Sequence, residues 1–206
     1  NAVRAGTATC VLVVNPEITS AHLEWRDRDC HFIFGDVCTA VIVEKAETAT
    51  SPDQWEILGT RLATQFSNNI RNNFGFMNRA EDSDPLARDK TFRQEGRKVF
   101  KEVVPLAAAH IEAHLAQLGF EPKGVRRFWL HQANRNMNDL IAERLLGRAA
   151  TLEEAPVIIP EYGNTASAGA PIAFSLHSAD MPKGSVGILA SFGAGYSFGS
   201  LLLQRL

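Results

Sequence analysis

At 206 residues with 45% hydrophobic side chains, the chain is long enough to bury a full core. A formal net charge of −2 and the lack of a Lys/Arg block argue against nucleic acid or an anionic membrane surface as partner, which leaves small molecules and proteins. No apolar run approaches the roughly 20 residues that span a bilayer, and NAVRAGTATC lacks the charged start and long apolar stretch of a secretion signal, so a cytoplasmic location is expected.

Taken in chain order, NAVRA reads as the last turn of a helix closed by Gly6, the tail of a longer protein. TCVLVV (9–14) is expected as a buried strand and VCTAVIVEK (37–45) as a second, β-branched one, entered through FGD at 34–36. WEILGTRLAT (55–64) predicts a third strand. The polar stretch from Phe66 to Asp89 is too long for an ordinary connection, and a loop insertion over 65–90 is expected, with Asn68, Asn69, Asn72 and Asn73 either lining a lid or acting as turn formers.

Thr91 with Gln94 has the form of a capping box, after which Phe100, Val103, Val104, Ala107, Ile111 and Leu115 recur at helical spacing as far as Gly119. Pro105 should kink that helix. A strand (126–130), a helix (134–146, stopped by Gly147), a strand (PVIIP, 156–160), a small-residue helix (167–180) and strands at 186–191 and 197–206 follow. Such alternation predicts an α/β fold with mostly parallel sheets and an antiparallel edge pair at the C-terminus. The order of the opening segment (helix tail, Gly6, strand, FGD, strand) repeats at the close (helix, Gly184, strand, FGAG, strand), which suggests an internal repeat. Residues 1–46 then read as the end of a first half and 47–206 as a second half.

Cys10, Cys30 and Cys38 are odd in number and lack CxxC spacing, as expected of reduced thiols; Cys10 and Cys38 fall within strand runs where thiols pack as small hydrophobes. His110 and His114 in HIEAH share a helix face at the spacing of zinc enzymes, but the sequence is not HExxH and no third ligand is evident, so no metal is expected. Asn134 stands where a helix N-cap belongs, a role that need not exclude contact with a ligand.

Two segments carry the chemistry. FWLHQANR stops an apolar run at His131, and EYGNTASAGAP sets Asn164 in a turn of the same grammar, so two neutral hydrogen-bond donors are each mounted where a buried run gives way to a helix. HQANRNMN, YGNTASAGAP, the terminal SFGAGYSFGSLLL and FIFGDVCTAVIVE with the preceding WRDRD together resemble the β-ketoacyl-acyl-carrier-protein synthase III branch of the thiolase-like condensing enzymes. FSNNIRNNFGF looks most like the medium-chain β-ketodecanoyl synthases.

The resemblance implies two βαβαβαββ halves in a five-layer α-β-α-β-α sandwich, a homodimer, and a nucleophilic cysteine upstream of residue 1. It implies decarboxylative Claisen condensation of an acyl-CoA with malonyl-acyl-carrier protein, with coenzyme A and carrier-protein thioesters as substrates and no cofactor. It places His131 and Asn164 at the enolate oxygen, the backbone N–H of Ala194 in a second oxyanion hole, Ala133 and Asn134 against substrate, and Arg28 at the nucleotide end of coenzyme A. Chemistry agrees where it can be consulted. Neutral imidazole and carboxamide N–H groups stabilise developing charge, small residues at 193–195 let backbone approach a ligand, and an Arg fork suits phosphate, although an ion pair with Asp27 or Asp29 competes for Arg28.

One departure concerns the helix after HQAN. The family often has an aliphatic residue and then Arg, whereas this chain has Arg135 and then Asn136, which turns the charge about 100° around the helix. Biosynthetic thiolases use a second Cys near the C-terminal glycine turn, and none follows Cys38; elongating synthases use two histidines, where this chain has Asn164. Short-chain initiating, olefin-type and polyketide-type condensing enzymes remain open, as does a non-catalytic subunit, against which retention of both donors argues.

Overall fold

The computed structural model describes residues 1–71 and 91–206. β1 (Cys10–Glu17) and β2 (Val37–Glu44) form an antiparallel pair in register from Cys10 opposite Glu44 to Glu17 opposite Val37, but Leu12, Val13 and Val14 are exposed, which corrects the burial expected of the first run. Before β1, Ala5 donates to the Asn1 carbonyl at 2.8 Å and Gly6 takes the left-handed conformation at φ 74°, the turn-and-glycine stop read from NAVRAG. β3 (Trp55–Ser67) runs three residues past its expected end, so residues 65–67 belong to a strand and not to the loop insertion. β4 (Ile70–Arg71) pairs with β5 (Arg93–Gln94); the rest of the expected insertion, including Asn72 and Asn73, lies outside the described residues.

That pairing overturns the capping box. Gln94 is committed to β5, and α1 (Gly96–Gln117) begins two residues later with Glu95 as N-cap and no side-chain cap bond. Pro105 lies inside α1. The helix ends in a Schellman closure: Phe120 N–H reaches the Leu115 carbonyl at 2.9 Å, Gly119 N–H reaches Ala116 at 3.1 Å, and Gly119 supplies φ 77°.

β6 (Arg127–Leu130), α2 (Arg135–Leu146), α3 (Ile159–Tyr162), α4 (Gly169–Leu176), β7 (Val186–Gly193) and β8 (Gly195–Arg205) complete the described elements. The main sheet has the order β3-β8-β7-β6, with β6 and β7 parallel and the other two ladders antiparallel. It is therefore mixed, and the expectation of a mostly parallel sheet is corrected in this part of the molecule. PVIIP does not form a strand: Ile158 is buried, but the run passes directly into α3. Its backbone is satisfied by a side chain, since Gln132 Nε2 donates to the Pro156 carbonyl at 3.2 Å and Gln132 Oε1 accepts the Ile158 N–H at 3.0 Å. A glutamine amide does here what a neighbouring strand would do.

Alternation along the strands fills both faces of the sheet. Phe128, Leu130, Ile188, Ala190 and Leu202 pack with α1 and α2, while Trp129 and Leu203 pack with Ile172 and Ala173 of α4. The result is helix, sheet, helix. On the α4 side Trp55, Trp129 and Phe174 meet edge to face, with ring centroids 4.9 to 5.5 Å apart. Arg127, buried in the first residue of β6, is paid for by a two-pronged pair with Asp180 at 2.5 and 2.9 Å and by the carbonyls of Glu153 and His177. β1–β2 and β7–β8 are both antiparallel pairs, each preceded by a left-handed glycine, Gly6 and Gly184. No helix among the described residues is long and apolar enough to cross a membrane.

Candidate active site

A cavity of about 550 Å3 opens where β6 and β7 end and α1 and α2 begin, a size ordinary for small-molecule sites. Its walls are largely apolar: Phe34, Ile70, Phe92, Phe100, Phe192 and Phe198 are among them. His131, Ala133, Asn134, Asn164 and Ala194 all line it.

His131 directly follows β6, whose four residues are buried and hold the backbone rigid. Its ring is buried and packs edge-on against Phe192 at 4.7 Å. Burial pushes its pKa down to about 4, the backbone of Ala166 opposing the shift only in part, so the imidazole is neutral at physiological pH. Nδ1 is buried without a well-formed hydrogen bond.

Asn164 is held from both sides by a segment far upstream. Its N–H donates to the Ile33 carbonyl at 2.6 Å and its carbonyl accepts from Gly35 N–H at 3.1 Å, forming an isolated parallel bridge with Phe34. So close an approach needs glycine on both strands of the bridge. A Cβ on Gly35 would lie 2.3 Å from the Tyr162 carbonyl, and one on Gly163 would lie 2.8 Å from the Ile33 carbonyl. Asn164 Oδ1 accepts the Ala166 N–H at 3.0 Å. That bond identifies the oxygen end of the amide and leaves Nδ2 as its donor.

Ser167, next in the same loop, is bound by Asn15 Oδ1 at 3.1 Å and by Glu17, whose Oε1 accepts the Ser167 N–H at 3.1 Å. The end of β1 thus helps position the turn that carries Asn164. Ala194 is the single residue between β7 and β8, at the apex of the Gly193–Gly195 turn. Asn134 caps α2, its side chain accepting the Asn136 N–H at 2.8 Å while the residue lines the cavity, so capping and contact with the cavity coexist.

Arg28 is not brought to the cavity; it is exposed and forms no ion pair with Asp27 or Asp29 among the described residues. Arg135 pairs with Asp139 at 3.7 Å one turn along α2. None of the three cysteines lines the cavity, and burial pushes the Cys30 thiol up to about 11. His110 and His114 both turn onto the Ser200 hydroxyl, at 3.0 and 2.7 Å. Asn69 is a tied residue of the β3–β4 bend: its carbonyl accepts the Glu95 N–H at 2.8 Å. Sequence reasoning did not single out Ala166, Gln132 or Phe192; only Gln132 left a signal, as a polar residue between two ends of buried runs.

The family models of 3-oxoacyl-[acyl-carrier-protein] synthase III match residues 1–65, and those of its C-terminal part match residues 115–205. The chain is 59% identical over 204 residues to the β-ketodecanoyl-[acyl-carrier-protein] synthase of Pseudomonas aeruginosa, covering 99% of this chain and 58% of that protein. It is 30% identical to the β-ketoacyl-[acyl-carrier-protein] synthase III of Methylococcus capsulatus, covering 98% of this chain and 60% of that protein. Among solved structures, the 3-oxoacyl-[acyl-carrier-protein] synthase III of Aquifex aeolicus superposes with a TM-score of 0.80 at 28% identity, over 98% of this chain and 60% of that one. The priming β-ketosynthase of the R1128 polyketide pathway shares the fold, with a TM-score of 0.82 at 24% identity over all of this chain and 59% of that one. The chain thus spans about three fifths of the length of the curated relatives it matches. With both halves of the profile matched in order and the fold shared nearly end to end, the chain belongs to the 3-oxoacyl-[acyl-carrier-protein] synthase III family.

Proposed function

We propose that this chain carries the decarboxylation half of a β-ketoacyl-acyl-carrier-protein synthase of fatty acid biosynthesis. In the first step a cysteine thiolate outside these 206 residues attacks the thioester carbon of an acyl-CoA, and coenzyme A leaves as its thiolate. The malonyl thioester then breaks its bond to the carboxylate; carbon dioxide departs and the electron pair becomes an enolate. The enolate carbon attacks the acyl carbonyl, the cysteine thiolate leaves, and a β-ketoacyl thioester results.

His131 and Asn164 would donate to the enolate oxygen, and the backbone N–H of Ala194 to the tetrahedral oxyanion. The observation that supports this reading is the shared cavity lined by both a neutral buried imidazole and an oriented carboxamide. A neutral donor suits the task, because a carbanion-like intermediate beside a protonated imidazole would simply be quenched. Ala133 and Asn134 would contact the incoming thioester arm, and Arg28 the nucleotide end of coenzyme A.

A medium-length acyl group is favoured by the apolar lining and by the high identity to a relative named for its ten-carbon product. The protein would act in the cytoplasm as a homodimer. Assay of the full-length protein with malonyl-acyl-carrier protein and acyl-CoAs of graded length tests the reading. Carbon dioxide release that peaks with medium acyl chains supports it, and no release with any acyl donor refutes it. Light scattering gives the assembly state.

A further inference from the structure

One polar cluster touches three walls of the cavity without lining it. The Tyr196 phenol is fully buried, and its O–H donates to Glu102 Oε2 at 2.9 Å. Asn69 Nδ2 donates to the same carboxylate oxygen at 2.8 Å and to the phenol oxygen at 3.1 Å. The backbone of Asn69 is engaged as well, its N–H on Ser67 Oγ at 3.2 Å and its carbonyl on the Glu95 N–H at 2.8 Å. A closed triangle therefore joins β8, α1 and the bend between β3 and β4. Each of those segments supplies cavity wall: Ser197 and Phe198, Val99 and Phe100, and Ile70.

We propose that the Tyr196–Glu102–Asn69 triangle is a positioning device, which holds the turn bearing Ala194 and the Ile70 wall at a set distance from α1. The turn itself is poorly determined by its own residues. Two of its three positions are glycine, and Gly195 sits at φ 134°, so the chain there has little intrinsic preference for one path. Tyr196 is the first residue after the turn with a side chain large enough to anchor it. Its ring packs with Phe198, centroids 6.5 Å apart, and phenylalanine would fill that space equally well. A buried hydroxyl is costly unless bonded, so its bonds to Glu102 and Asn69 select one orientation of the ring and with it one placement of the turn. Tyr196 acts through the Ala194 backbone and touches no substrate.

The consequence for catalysis rests on the function proposed above; the consequence for the turn does not. In full-length protein, Tyr196→Phe and Glu102→Ala should speed amide hydrogen exchange about tenfold over residues 193–199 and 67–71, with unchanged exchange in the middle of α1. Glu102→Gln keeps an acceptor for both donors and should exchange like the parent. With malonyl and acyl thioesters, Tyr196→Phe should lower kcat about five- to tenfold and leave KM for the malonyl donor within about twofold, and Glu102→Gln should keep the parent kcat. Parent-like exchange at 193–199 in Tyr196→Phe overturns the proposal, as does a uniform rise across the core, which would mark general loosening. Local acceleration in a protein that condenses no acyl donor would sink the functional reading and uphold the triangle.

Discussion

Asn164 Oδ1 accepts the backbone N–H of Ala166 at 3.0 Å, and the backbone of that same Ala166 is what opposes the loss of proton affinity at His131. One residue in a left-handed conformation, φ 47°, therefore orients the carboxamide and biases the proton affinity of the imidazole. The two donors are not independent mounts on two turns. They share a hinge.

Removing either donor should damage decarboxylation selectively. Asn164→Ala and His131→Ala should each lower carbon dioxide release by about a hundredfold or more, the usual effect of deleting one oxyanion donor, while labelled acyl groups still load onto the protein. Loading and release measured side by side decide the matter; parent-like release removes that residue from the mechanism.

The shared hinge makes Ala166 a test of geometry. A left-handed φ is strained for alanine, free for glycine and worse for a β-branched residue. Ala166→Gly should keep most activity and change stability by less than about 1 kcal/mol, whereas Ala166→Val should cost about 1–3 kcal/mol and most of the decarboxylation. Thermal melts and initial rates of the two variants report both effects.

Gly35 contributes no side chain to the cavity, yet its substitution should impair the site. Alanine there would drive a Cβ to 2.3 Å from the Tyr162 carbonyl, and the Phe34–Asn164 bridge must open to admit it. Gly35→Ala is expected to lower kcat by about tenfold or more through displacement of the carboxamide, with circular dichroism little altered. An unchanged kcat would show that Asn164 keeps its place without the bridge.

Acid should destabilise the fold across a definite window. Burial lowers the proton affinity of His110 and His131, both to about 4, and of His114, with the Arg61 charge adding to the effect at His110 and His114. The unfolded chain takes up these protons near pH 6.5 and the folded one does not, so their contribution is fully present above pH 6.5 and is lost as pH falls toward 4. Melting temperature measured from pH 7.5 to 4.5 should therefore fall below about pH 6.5, and His110→Asn should flatten part of that slope.

Much of this was legible in the chain. β-branched runs gave β1, β2 and β7, the asparagine and glycine flanking residues 135–146 gave both ends of α2, and HQAN and GNTA gave two residues, His131 and Asn164, that line one cavity. PVIIP was misread because its apolar pattern reports burial, which is real, and cannot report that Gln132 satisfies its backbone in place of a neighbouring strand. Thr91 and Gln94 were misread because a two-residue pairing with Ile70 and Arg71 outweighs a local cap. The parallel share of the sheet was overestimated for a related reason: without a strand at 156–160, only one parallel ladder joins the described strands. Ala166 had no signature at all, since an alanine side chain does nothing to mark a left-handed position.

The bridge from Phe34 to Asn164 is an isolated pair outside every named strand, so no adjacent ladder bonds hold it shut. Such a junction should open before the main sheet does. Mild heating or denaturant should abolish the proposed decarboxylation while helices and strands still give their full spectroscopic signal, because the Asn164 amide would lose its mount first.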